Sequence, residues 1–322
     1  VTSLREKYKI FKNSRSFFYV KIGVSAVLVA CILYRCDWKL TLSTFMAIEP
    51  KFLVLVFFCM VGGVIISAFK WQVLLSVHDA HIPLSTLNRY YFIAVFFNNF
   101  LPSSIGGDGF RIYKTASEVV SKGHAVVAVL MERVSGLWAL LFLGYIGGLF
   151  VGPGSSGIPY FRQFLWVIGS ALVLSGLFFV VTYFISDRYK DGSRFPVWLT
   201  TLFGWIHDYR RHPGKTINVV ALSFFFQLYA LSWMLLLSRA VGADISIFML
   251  AVAMMISNLA ALLPISLNGL GLMDGSFIYI ASSMGMEYEH GVMMMLIMRV
   301  FLVFLSLIGS YFYLRLKSQK VS

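Results

Sequence analysis

The chain is expected to fold as an all-α integral membrane protein, with about six full transmembrane helices and two re-entrant helical hairpins in an inverted repeat. Three observations predict this. Hydrophobic residues make up 59% of the 322 residues and charged residues 13%, with a mean hydropathy of +0.80, a balance that does not suit a water-soluble globule. Apolar runs close to the ~20 residues that cross a bilayer recur along the chain. The pattern Pro-x-Ser-[Ile/Leu]-x-Gly-x-Gly breaks apolar sequence twice, at Pro102, Ser104, Ile105, Gly107 and Gly109 and at Pro264, Ser266, Leu267, Gly269 and Gly271 (264 − 102 = 162). Broken backbone at membrane depth persists only where it is buried in protein or lines a polar cavity, and a matched pair of breaks points to a transport site.

The first apolar run, 17–34, follows Arg5, Lys7, Lys9, Lys12 and Arg15. It lacks a small-residue cleavage site and is expected to stay in the membrane as an anchor. Runs 52–75, 125–151, 164–185, 217–237 and 291–314 supply five more spans by length and apolar content. Runs 90–101 and 247–263 are shorter, and each meets a Pro/Gly break followed by another short apolar stretch. A hairpin that returns to the side it entered suits them, with full spans as the alternative. Trp198, Leu199, Leu202, Phe203, Trp205 and Ile206 recur at helical spacing, so an amphipathic helix is expected over 195–212, lying on the membrane surface.

Lys and Arg cluster before the first span, between the fourth and fifth (Arg188, Lys190, Arg194, Arg210, Arg211, Lys215) and after the last (Arg315, Lys317, Lys320). The positive-inside rule places these regions and both termini on the cytoplasmic side, and a cell inner membrane is the expected location. The net charge of +13 sits at span ends. Anionic lipid accounts for it there, and no nucleic-acid partner is expected.

The repeat extends beyond the breaks. Trp71 with Leu74 and Leu75 returns as Trp233 with Leu236 and Leu237 (233 − 71 = 162), and Arg133-Val134 returns as Arg299-Val300 (299 − 133 = 166). The second offset predicts a four-residue insertion after the second hairpin. The halves run 17–151 and 160–313. Each holds three spans, an odd number, so the second half would be inverted, with one hairpin opening from the cytoplasm and the other from outside.

An arginine near the bilayer centre costs on the order of 3 kcal/mol and is a functional candidate by default. Arg133 and Arg299 lie about eight or nine residues from their helix ends, some 12–14 Å deep at ~1.5 Å per residue. A guanidinium grips phosphate through two parallel hydrogen bonds, so the two are candidate phosphate stations on opposite sides of the barrier. Pairing with a carboxylate or a hairpin carbonyl to hold the fold is the competing role. Asp108 and Arg111 stand three apart, Arg111 is expected to meet the phosphate beside Arg133 from the cytoplasm, and Asp108 and Asp274 suit helix caps or contacts to substrate and counter-ion. Glu132 adjoins Arg133 but points elsewhere on a helix. Gly106, Gly107 and Gly109, with Ser103 and Ser104, would offer bare N–H groups to an anionic head group, and Ser266, Gly269 and Gly271 repeat the arrangement. Asn98, Asn99, Asn258 and Asn268 can line a polar cavity without a buried charge.

Enzymatic signals are thin. His78, His81, His124, His207, His212 and His290 show no metal spacing, and Cys31, Cys36 and Cys59 show neither metal spacing nor a disulfide framework. No nucleophile elbow, P-loop or dinucleotide fingerprint occurs. Met293, Met294, Met295 and Met298 read as flexible packing. No enzyme activity, metal or cofactor is expected.

The segment NNFLPSSIGGDGFRIYK, the ERVSGL stretch at Glu132 to Leu137, the Lys70-Trp71 pair and LLPISLNGLGLMDG at Leu262 to Gly275 resemble the membrane domain of lysylphosphatidylglycerol synthetases. This flippase-like family includes the membrane half of the multiple peptide resistance factor and many stand-alone relatives. Lys70 stands where Arg is common in the family and Asp274 where Glu is common, both keeping the charge. The resemblance implies movement of a lipid head group between leaflets through a cavity formed by the hairpins. The cargo would be an anionic or aminoacylated phospholipid, or a polyprenyl-phosphate-linked lipid. In two-domain relatives a soluble aminoacyl transferase follows, so a separate lipid-synthesising enzyme is an expected partner. A membrane-embedded transferase using Asp108, Glu132 or Asp274 as base, and a small-solute transporter, are the alternatives.

Overall fold

The computed structural model describes residues 4–100, 105–119, 122–151, 158–185 and 207–318. Within them the architecture is all-helical: α1 (Leu4–Tyr34), α2 (Trp38–Ala47), α3 (Pro50–Ser76), α4 (Leu84–Phe100), α5 (Ile105–Thr115), α6 (Lys122–Val151) and α7 (Phe161–Ile185) precede α8 (Pro213–Ala240), α9 (Ile247–Ala261), α10 (Leu272–Ser283) and α11 (Tyr288–Ser318). The helices α3, α6, α7, α8 and α11 are long and apolar enough to cross a membrane. The expected first span differs from that pattern. It ends in an 85° bend at Tyr34, and counts as a sixth span only if taken together with α2.

Local chemistry sets several of these ends. Asp37 caps α2 by accepting from the Lys39 and Leu40 backbone N–H groups at 2.9 and 3.2 Å, which turns the chain where apolar content alone predicts no element. Pro50 and Pro213 occupy the first positions of α3 and α8, where a missing N–H costs nothing. Ser246 caps α9 through the Met249 N–H. Helix α4 starts six residues before the expected 90, because Ser85, Thr86, Asn88 and Arg89 continue the helix from the turn at Pro83 while lowering its hydropathy. At ~1.5 Å per residue, α4 and α9 are only about 26 and 22 Å long, short of a ~30 Å hydrocarbon core.

The offset seen in the sequence carries α3 onto α8, α4 onto α9 and α6 onto α11. Contacts follow it: α3 packs on α8, and α4 on α11 just as α9 packs on α6. Gly144 and Gly147 let α6 come close to Met255 and the Phe248 carbonyl of α9, the small-residue contact common between membrane helices. Side chains of α7, such as Val173, Leu174 and Leu177, are exposed, as a face turned to lipid requires. Most of the expected amphipathic helix at 195–212 lies outside the described residues, which show one helical turn at 207–211.

The insertion sits elsewhere than expected. Four residues separate α4 from α5 and ten separate α9 from α10 (105 − 100 − 1 = 4; 272 − 261 − 1 = 10), so the extra length lies inside the second break and not after its hairpin. Asp108-Gly109 therefore corresponds to Asp274-Gly275 (274 − 108 = 166). The glycines that share the sequence motif do not share a conformation: Gly107 and Gly109 are inside α5, whereas Gly269 and Gly271 lie in the turn with φ of +71° and +78°.

Candidate functional site

Helix α5 brings Asp108 and Arg111 against Glu132 and Arg133 of α6. Arg133 is held side-on by Asp108, with Nε to Oδ2 at 3.1 Å and Nη2 to Oδ1 at 2.9 Å. Arg111 donates to the same Asp108 at 2.8 Å and to Glu132 at 2.7 Å. Its guanidinium lies between the Trp71 and Tyr91 rings, 4.9 and 4.5 Å from their centroids, where cation–π attraction adds to the ion pairs. The Tyr91 hydroxyl donates to Glu132 at 2.7 Å. Lys70 reaches the Glu132 carbonyl at 3.2 Å and the Ser223 hydroxyl of α8 at 3.4 Å. Three basic side chains thus face two acidic ones, an excess that an anion would balance.

Exposure separates the roles. The side chain of Arg111 is 1% exposed and that of Arg133 54%. Arg111, expected to share the phosphate with Arg133, is instead enclosed as a strut between α3, α4, α5 and α6, its guanidinium taken up by Asp108, Glu132 and two rings; Arg133 can meet a ligand.

The second half repeats the outer pair without the strut. Arg299 of α11 is held side-on by Asp274 of α10, Nε to Oδ1 at 3.0 Å and Nη2 to Oδ2 at 2.8 Å, and its Nη1 donates to the Asn268 carbonyl at 3.5 Å. Asp274 also caps α10 by accepting the Gly271 N–H at 2.8 Å, so the cap and the charge contact expected as alternatives coexist. Both pairs are 25 residues apart in sequence (133 − 108 and 299 − 274). Where the first half has Arg111 and Glu132, the 166 offset puts Phe277 and Met298, two members of one apolar cluster.

Other expected residues fall out differently. The Gly107 N–H is not bare, since the Asn98 side chain accepts it at 2.8 Å. A Cβ at Gly107 would run into the Ala94 carbonyl, so this glycine serves the close approach of α5 to α4. Asn99 donates to Ser306 of α11 at 3.1 Å and ties the halves together. Asn258 donates to the Met254 carbonyl of its own helix. Asn268 takes φ +45° in the second break. The Ser266 hydroxyl is buried without a partner among the described residues. Gly106 is half-buried and Gly109 exposed on α5, while Ser104 lies outside the described residues. Sequence reasoning missed Tyr91 and Ser223 entirely. It offered a carboxylate partner for each arginine without saying which acid, although the equal spacing of the two Asp–Arg pairs was available to find it.

A family model described as the lysylphosphatidylglycerol synthase TM region matches residues 18–309. The chain belongs to that family and is a multi-pass membrane protein. No curated protein matches the chain.

Proposed function

We propose, from that membership and from the duplicated Asp–Arg pair, that the chain is a lipid flippase or scramblase. A phosphate-bearing head group crosses between leaflets while its acyl or prenyl tails stay in the bilayer. The Asp–Arg pair, made once in each half, carries this assignment. Each carboxylate occupies the Nε–Nη2 edge of its arginine, the two-point grip that a phosphate would take. Asp108 and Asp274 act as place-holders that keep the arginines compensated at membrane depth and yield them when phosphate arrives. Inversion of one half relative to the other would let Arg133 serve the cytoplasmic leaflet and Arg299 the outer one.

One feature favours a lipid over a small solute. A cavity of about 460 Å³ is lined by Leu74, Met131, Val134, Trp138, Phe179 and Val220, on the helix that also carries Arg133 and its neighbours α3, α7 and α8. Such an apolar lining suits a hydrocarbon chain. The substrate class is an anionic or aminoacylated phospholipid, or a polyprenyl-phosphate-linked lipid, in an inner membrane with both termini cytoplasmic. A separate enzyme would make the lipid, and the present chain would catalyse no covalent step.

The function is tested in liposomes carrying a head-group-labelled phospholipid and an external reductant that does not cross the membrane. Vesicles with protein are expected to bleach beyond the outer-leaflet fraction, and empty vesicles to stop at it. Identical bleaching in both, with lysyl-phosphatidylglycerol, phosphatidylglycerol and a polyprenyl-phosphate lipid each tried, contradicts the assignment.

A further inference from the structure

His78, His124 and Asp208 take no part in the site above. His78 lies two residues past α3, His124 is the third residue of α6, and Asp208 stands on the helical turn that leads into α8. Asp208 Oδ2 is 3.9 Å from His78 Nδ1 and 3.7 Å from His124 Nε2, and one ligand atom from each residue falls within 4.8 Å of the others. The side chain of His78 is 2% exposed. Its Nε2 and the Nδ1 of His124 are buried without a partner, and neither ring makes a hydrogen bond among the described residues. The nitrogens nearest Asp208, His78 Nδ1 and His124 Nε2, are the opposite pair and stand beyond hydrogen-bond distance of its carboxylate, so each has a lone pair that an ion could take.

We propose that His78, His124 and Asp208 bind a divalent transition-metal ion of the zinc class. Two imidazoles and one carboxylate are the donor set of zinc sites that keep an open fourth position. With metal–ligand bonds of ~2.0–2.1 Å, neighbouring ligand atoms sit roughly 3.3 Å apart in a tetrahedron, so Asp208 needs to close on each ring by about half an ångström. The rings stack at 4.1 Å with 5° between planes. Binding therefore tilts His124, which at 21% exposure has room to move.

The ion would join the segment after α3, the start of α6 and the turn before α8, and these three helices also meet at Lys70, Glu132 and Ser223. His78 follows Lys70 by eight residues and His124 precedes Glu132 by eight (78 − 70 = 132 − 124 = 8), about 12 Å along each helix. It would clamp the base of α3 and α6 beneath the first Asp–Arg pair.

The test uses untagged, chelator-stripped protein in detergent, titrated with Zn²⁺ by calorimetry and with Co²⁺ by visible absorption. One saturating ion per chain, tetrahedral Co²⁺ bands and a melting temperature raised by Zn²⁺ are expected. His124→Ala and Asp208→Asn, both at partly exposed positions, should each weaken affinity at least tenfold while keeping the parental gel-filtration profile. Absence of saturable uptake by the folded parent, or equal uptake by parent and both folded variants, overturns the site.

Discussion

Arg111→Met is expected to lower the melting temperature in detergent by on the order of 10 °C. Removing this side chain leaves Glu132 buried with only the Tyr91 hydroxyl and takes one of two guanidinium partners from Asp108, and breaking a buried pair from one side costs about 3–5 kcal/mol. The second half shows what a tolerated replacement is, since Phe277 and Met298 stand at the equivalent positions. The double variant Arg111→Met with Glu132→Met should therefore melt above either single variant, because an apolar pair of similar volume is close to neutral whereas an orphaned charge is not. A coupling of at least about 1 kcal/mol between the two sites is expected from the double-mutant cycle. Additive losses would show that the pair does not act as a unit.

Gly271→Val should be as damaging for a different reason. The residue holds φ +78°, and a Cβ there would stand 2.6 Å from Leu28 Cβ and 3.2 Å from the Ser25 carbonyl on α1. A side chain at positive φ costs about 1–3 kcal/mol, and a β-branched one must also push α1 from the second break. That shift disturbs the Ser25 hydroxyl, which accepts the Leu267 N–H at 2.9 Å, and the Gly271 N–H that fixes Asp274. A fall in folded yield is expected, well beyond that of Gly109→Val, where nothing lies within 4 Å of the added carbon. Equal yields would show that the break does not depend on this conformation.

Apolar run length located α3, α6, α7, α8 and α11 within a few residues, because a bilayer demands length and hydropathy from every span, but α1 begins at Leu4, thirteen residues before the apolar run (17 − 4 = 13). Run length also missed α2 and the first turns of α4, where polar residues continue a helix that capping and packing stabilise. The matched breaks were legible as a repeat, but one glycine motif covered two backbone solutions: in the first half the glycines sit in α5, in the second in a ten-residue turn. An offset of 162 aligns the letters of the break and the helices before it, whereas an offset of 166 aligns the helices after it, so only structure placed the insertion. For the site, residue types were informative and partners were not. Arg133 and Arg299 stood out as intramembrane charges, yet only the shared 25-residue spacing pointed to their acids, which lie on other helices. The His78 group joins three segments remote in sequence, which no local spacing reveals.

Arg133→Gln bears most directly on the exchange of carboxylate for lipid phosphate, because it separates transport from stability. Asp108 keeps its 2.8 Å contact to Arg111 when Arg133 is neutralised, and the Arg133 side chain is more than half exposed. Folding should hold, with melting within about 2–4 °C of the parent, a shift worth roughly 1 kcal/mol. A lost charge-assisted contact of ~1.5–3 kcal/mol predicts a fall in lipid translocation of at least about tenfold. Arg133→Lys should lie between the two, keeping the charge without the two-point grip. A folded Arg133→Gln protein that translocates lipid at the parental rate, or a loss matched by an equal loss of folded protein, would contradict the assignment of Arg133 as a phosphate station.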